Sequence, residues 1–159
     1  MIGEWNNAIE NFIMLATKHN VKMLMVGGAA VNFDGYQRHS ADVGFWIDTS
    51  TENFKKLIAV FQEMDYEIED FPEAVKKKQQ NISVKFSPVD LDLELITNFS
   101  VNKSFDEAYE QSETVSLERN NKLLIWHVIS LEDLITSKIK AGRPKDLLDI
   151  QQLQKNRPK

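Results

Sequence analysis

The segment Asp90-Leu91-Asp92-Leu93-Glu94-Leu95 alternates acids with leucines. On an extended strand Asp90, Asp92 and Glu94 therefore share one face and the leucines take the other. Clustered carboxylates are the oxygen ligands that hard divalent cations prefer. An exposed strand face carries the same acids with no such purpose. Upstream, Asp42-Val43-Gly44 puts another acid at the head of a run, Val43 to Ile47, that is rich in strand formers. Period two sets Asp42 and Gly44 on one face, and Asp48 closes the run as a turn or cap residue. The pair Gly27-Gly28 marks a turn that needs unusual backbone angles or a close backbone approach. Lys138 lies on an otherwise apolar helical stripe with Leu131, Leu134 and Ile135, where a snorkelling stem is the ordinary explanation. His39 has no partner at a spacing useful for a general base. The chain has no cysteine, which excludes disulfides, thiolate zinc sites and a cysteine nucleophile.

Those residues need a scaffold, and the pattern supplies one in which helices and strands are intermixed. Trp5, Ile9, Phe12 and Ala16 recur at helical spacing, and Lys22 to Val26 reads as a buried strand ending at the glycine pair. A short helix over 29–33, stopped by Gly35, leads to the strand Val43 to Ile47. Thr49 with Glu52 has capping-box spacing, and Phe54, Leu57, Ile58 and Phe61 form one apolar face behind it. Residues 70–80 read as a loop or short surface helix, with Lys76, Lys77 and Lys78 solvated. Ile82 to Phe86 and Asp90 to Leu95 are strands joined by a turn at Ser87-Pro88. A helix over 104–111 and weaker strands over 114–117 and 123–128 follow. Two helices close the chain, with Ser130 and Asp133 at the first N-terminus, Gly142 as its stop and Pro144 opening the second. Trp46 and Trp126 sit in strand-like apolar runs and are expected in the core.

With 159 residues the chain has the size of one domain, so a single unit over 1–159 is expected. The formal net charge of -5 gives no broad attraction to nucleic acid, so any polyanion must be held by a local basic site. No apolar run approaches the roughly 18 residues of a bilayer span, and the first residues lack the pattern of a secretory signal. No membrane association and a cytoplasmic location are the expectations.

In their order along the chain, Gly27-Gly28, then Arg38-His39-Ser40-Ala41-Asp42-Val43-Gly44-Phe45-Trp46-Ile47-Asp48, then Ser137-Lys138 and Ala141-Gly142-Arg143-Pro144-Lys145-Asp146 resemble the signature of the nucleotidyltransferase superfamily. The bacterial group that looks most similar includes the AbiEii-type toxin nucleotidyltransferases. The resemblance implies an α+β fold of the DNA polymerase β-like type, a mixed β-sheet with packed helices and a C-terminal helix pair. It implies an NTP substrate and Mg2+ (or Mn2+), held by Asp42 and by a third carboxylate that is Asp92 or, one step on, Glu94; Asp92 fits slightly better. Where the signature has its second acid this chain has Gly44, which ligates nothing. The resemblance assigns nucleotide binding to Gly27, Gly28, Ser40, Lys138 and Arg143, with pairing to Asp146 or Asp149 an equal alternative for Arg143. The implied reaction moves a nucleoside monophosphate to an acceptor hydroxyl on a protein, a tRNA or a small molecule, in a toxin–antitoxin or phage-defence setting with a cognate antitoxin. The alternative is a catalytically impaired nucleotide-binding or interaction module, because Gly44 removes one metal ligand.

Overall fold

A computed structural model of the chain describes residues 7–26, 43–86, 91–99, 101–119, 121–142, 151 and 154. Helix α1 (Asn7–Lys18) leads into strand β1 (Met23–Val26), and β2 (Val43–Ile47) precedes helix α2 (Thr51–Glu63). A single helical turn, α3 (Glu73–Lys76), is followed by β3 (Ile82–Phe86) and β4 (Leu91–Ile96). Helix α4 (Phe105–Glu110), the hairpin β5 (Glu113–Arg119) and β6 (Lys122–Val128), and helix α5 (Leu131–Ala141) complete the described elements. The helix expected over 29–33, the turn at Ser87-Pro88 and the helix opened by Pro144 lie outside the described residues.

Local chemistry explains the element ends. The capping box expected of Thr49 and Glu52 does not form; the cap is one residue later, where Ser50 accepts from the Asn53 N–H. Asn53 has another task. Its side-chain amide donates to the Asp48 and Lys22 carbonyls, and its oxygen accepts from the Lys22 N–H, tying the helix to the ends of β1 and β2. Ser104 and Glu107 do form a capping box on α4. Helix α5 starts where Ser130 accepts from the Asp133 N–H and stops at Gly142, whose φ of +63° is the left-handed turn that suits glycine.

The six described strands form one mixed sheet in the order β3-β4-β2-β1-β6-β5. β2 runs antiparallel to β1 and parallel to β4, and β1 runs parallel to β6. One face, carrying Val43, Phe45, Ile47, Leu93 and Leu95, is buried under α1 and α2, where Phe12 meets Phe45 and Phe61 at ring distances of 6.1 and 5.9 Å. On the other face Trp46 packs on Phe99 and Phe105, and Tyr109 of α4 lies 4.2 Å from the His127 ring. Trp46 and Trp126 are both buried, as their apolar runs predict. β6 extends past the start of β1, and Thr17 of α1 fills that stretch by accepting the Ile125 N–H and reaching the Ile125 carbonyl. Among the described residues no helix is long and apolar enough to cross a membrane.

Candidate active site

The strand β2 lies inside the sheet, and its Gly44 is level with Val26 of β1 on one side and Glu94 of β4 on the other. Parallel partners at the same level point to the same face, so Glu94 stands beside the place a side chain at 44 would occupy. A Cβ added at Gly44 would meet Ile96 Cδ1 and the Val26 oxygen at 3.7 Å and Val26 Cγ2 at 3.8 Å, ordinary contacts. Its backbone is not in the left-handed region either. At the level of its Cβ, the fold does not require glycine there.

Glu94 is half-buried, and its Oε1 accepts from Asn81 Nδ2 at 3.2 Å. Asn81 is itself held, since its Oδ1 accepts from the Thr97 N–H at 3.0 Å. These partners border the C-terminal end of β4, so the Glu94 carboxylate is drawn toward β3 and away from the start of the strand. Asp92 lies at that start, in register with Lys85 of β3 and just before Leu93, which pairs with Val43. Asp42 is the residue just before Val43. Asp42, Gly27, Gly28, Ser40 and Arg143 lie outside the described residues.

Lys138 is only 4% exposed and is not left without a partner, so the snorkelling reading does not hold. Its helix is pinned by the buried Asp133, whose Oδ1 meets Lys103 Nζ at 2.9 Å, and by a hydrogen bond from Lys140 to Asn102. Both partners belong to the segment that follows β4, so α5 is tied to the exit of the acidic strand.

Two side chains near these elements escape a reading of the sequence. Asn81 is the last of three consecutive amide residues, Gln79-Gln80-Asn81, before a strand, and nothing in its spacing marks it as the one that holds Glu94. His127 lies 3.1 Å from Ser112 Oγ and 3.4 Å from Thr114 Oγ1 through Nδ1. Burial pushes its imidazole below the ordinary value of 6.5, so the ring is neutral at pH 7. It pairs in register with Leu24, which pairs with Trp46, and so shares the sheet face of Gly44 and Glu94.

The α+β architecture, with its mixed six-stranded sheet, is that of the polymerase β-like nucleotidyltransferases. A candidate nucleotidyltransferase of Thermotoga maritima superimposes with a TM-score of 0.54 at 12% identity, over 94% of this chain and 92% of that one. An antigenic nucleotidyltransferase-like protein of Paracoccidioides brasiliensis gives 0.51 at 16% identity, over 92% and 73%. ANT(2'')-Ia, solved in complex with adenylyl-2''-tobramycin, gives 0.50 at 13% identity, over 92% and 85%. No curated protein matches the chain in sequence. The chain belongs to the family described as nucleotidyltransferase of unknown function (DUF6036), whose model matches residues 6–154.

Proposed function

We propose that this chain binds an NTP and transfers its nucleoside monophosphate to an acceptor hydroxyl, with Asp42 and Asp92 as the principal carboxylates. What supports the reading is the β2–β4 register. Asp42 and Asp92 each directly precede one member of the pair Val43 and Leu93, whereas the Glu94 carboxylate is engaged by Asn81. The sequence leaves Asp92 and Glu94 nearly equal, and this arrangement favours Asp92.

The donors are hard oxygens, which suit Mg2+ or Mn2+; a bound ion would supply charge stabilisation at the phosphates. The remaining work falls to the chain. Gly27 and Gly28 offer backbone N–H groups to the triphosphate, Ser40 a hydroxyl, and Lys138 and Arg143 positive charge. The acceptor oxygen bonds to the α-phosphorus as the bridging oxygen leaves with pyrophosphate, and a carboxylate of the cluster takes the hydroxyl proton. The acceptor is a protein, a tRNA or a small molecule. A toxin–antitoxin or phage-defence setting, with a cognate antitoxin as partner, rests on the sequence resemblance to AbiEii-type toxins.

A second reading is favoured by Gly44 itself. Gly44 supplies no ligand and one oxygen of the neighbouring Glu94 is held by Asn81, which suits a nucleotide-binding module with impaired chemistry. Comparing the natural chain with Gly44→Asp separates the two, since a Cβ is accommodated there. NTP binding and transfer by both forms supports a compensated enzyme. Binding by both with transfer only by Gly44→Asp supports the impaired module. If neither form binds an NTP with Mg2+ or Mn2+, the nucleotide site is wrongly assigned.

A further inference from the structure

The sheet has two outer strands, and they are built differently. β5 carries Glu113, Glu118 and Arg119, charges of the kind that discourage pairing with another chain. β3, Ile82-Ser83-Val84-Lys85-Phe86, carries one charge and, among the described residues, is paired on one side only, by β4. Beside β3 runs a groove of about 540 Å³, bordered by Phe61, Tyr66, Phe71 and Val75 on one wall and by Ile82 and Val84 on the other. Ile82 and Val84 are in register with Leu95 and Leu93, which are wholly buried. They therefore point to the helix-covered face, yet they remain only half-buried, and Tyr66 is 40% exposed. The groove occupies the place where the side chains of one more strand would lie.

The charges around the groove narrow what that strand could be. Glu67 lines it. Lys76 is engaged by Asp70 and reaches Glu73 at 3.8 Å. Lys77 and Lys78 stand exposed on the turn leading toward β3, with no ion pair among the described residues.

We propose that β3 accepts an added strand from a partner protein: an extended segment with apolar side chains at alternate positions and an acidic residue that meets Lys77 and Lys78. The backbone groups of the edge that no described strand pairs supply affinity, and the groove selects the alternate side chains. A second copy offering its own β3 brings Ile82, Val84 and Phe86 but also Lys85 and no acid, so the lysines disfavour it. The basic residues 155–159, Lys-Asn-Arg-Pro-Lys, lack both the alternation and the acid.

The test uses the full chain and a fluorescein-labelled peptide of alternating valine and threonine flanked by glutamates, beside a lysine-flanked counterpart. The acidic peptide is expected to bind about tenfold more tightly, with the preference shrinking as salt rises. It should also slow amide hydrogen exchange within Ile82–Phe86. Tyr66→Ala should weaken binding by about fivefold or more. Because Tyr66 packs against Phe61 at 5.7 Å, the exposed pair Lys77→Glu and Lys78→Glu provides an independent variant, in which the preference for the acidic peptide disappears. No binding at millimolar peptide, equal binding of the two peptides, or exchange protection confined to other strands would overturn the proposal. So would a concentration-dependent dimer in sedimentation velocity that Lys77→Glu leaves intact and Tyr66→Ala abolishes.

Discussion

The two faces of β2 are packed to different standards. On the helix-covered face Val43, Phe45 and Ile47 are almost wholly buried, and Phe45 meets Phe12 of α1. On the opposite face Trp46 is enclosed by Phe99 and Phe105, but two residues back Gly44 presents no side chain. Around Gly44 are Val26, Ile96 and the level position of Glu94. The first face specifies the fold. The second, at its Gly44 end, leaves room for a Cβ among the described residues, so a change there should alter chemistry while leaving stability nearly untouched.

Breaking the packed face gives the largest expected effect. Phe45→Ala should lower unfolding free energy by about 3–5 kcal/mol in urea titrations; a loss below about 1 kcal/mol would mean that the contrast between the faces is false. Next comes the chemistry of the open face, measured in whichever of the natural chain or Gly44→Asp transfers nucleotide. Asp92→Asn should slow transfer by about two orders of magnitude, near 3 kcal/mol of barrier, while Glu94→Gln should cost less than about tenfold. The reverse ranking would make Glu94 the third carboxylate. Gly44→Ala should be neutral or stabilising by about 0.5–1 kcal/mol, because a strand interior disfavours glycine, and a marked loss of stability would show a packing role.

The smallest effect is one of pH. Burial holds the folded His127 below 6.5, so the unfolded chain takes up its proton first as pH falls. This contribution is therefore constant above pH 6.5 and declines as pH drops through that value toward the lowered folded pKa. The urea midpoint should fall between pH 7.5 and 5.5, and fall less in His127→Gln; an equal fall in both would sink the assignment.

Much of the scaffold could be read from local pattern. The acid–leucine alternation of β4, the Val43–Ile47 run, the Ser130 cap and the Gly142 stop all correspond to observed structure. What could not be read is what distant segments do to one another. The parallel pairing of β1 with β6 leaves no local trace, nor does the bond from Asn81 to Glu94. His127 gains Ser112 and Thr114 as partners because β5 folds against β6 in the register Thr114 to His127. The cap falls on Ser50, one residue past the Thr49–Glu52 pattern, because Asn53 ties the first turn of α2 to Lys22 and Asp48, long-range bonds with no local signal.

The parallel pairing of Met25 with Val128 also has a consequence for how the protein is made. β1 emerges early with one long side destined for β6, and at about 5–20 residues per second the matching strand follows roughly 5–20 s later. During that interval Met23–Val26, a wholly apolar tetrapeptide, waits with an unsatisfied flank in a half-made sheet. An unpaired apolar strand edge is prone to aggregation, so slowing translation between residues 26 and 122 should lower soluble yield more than slowing it after 128.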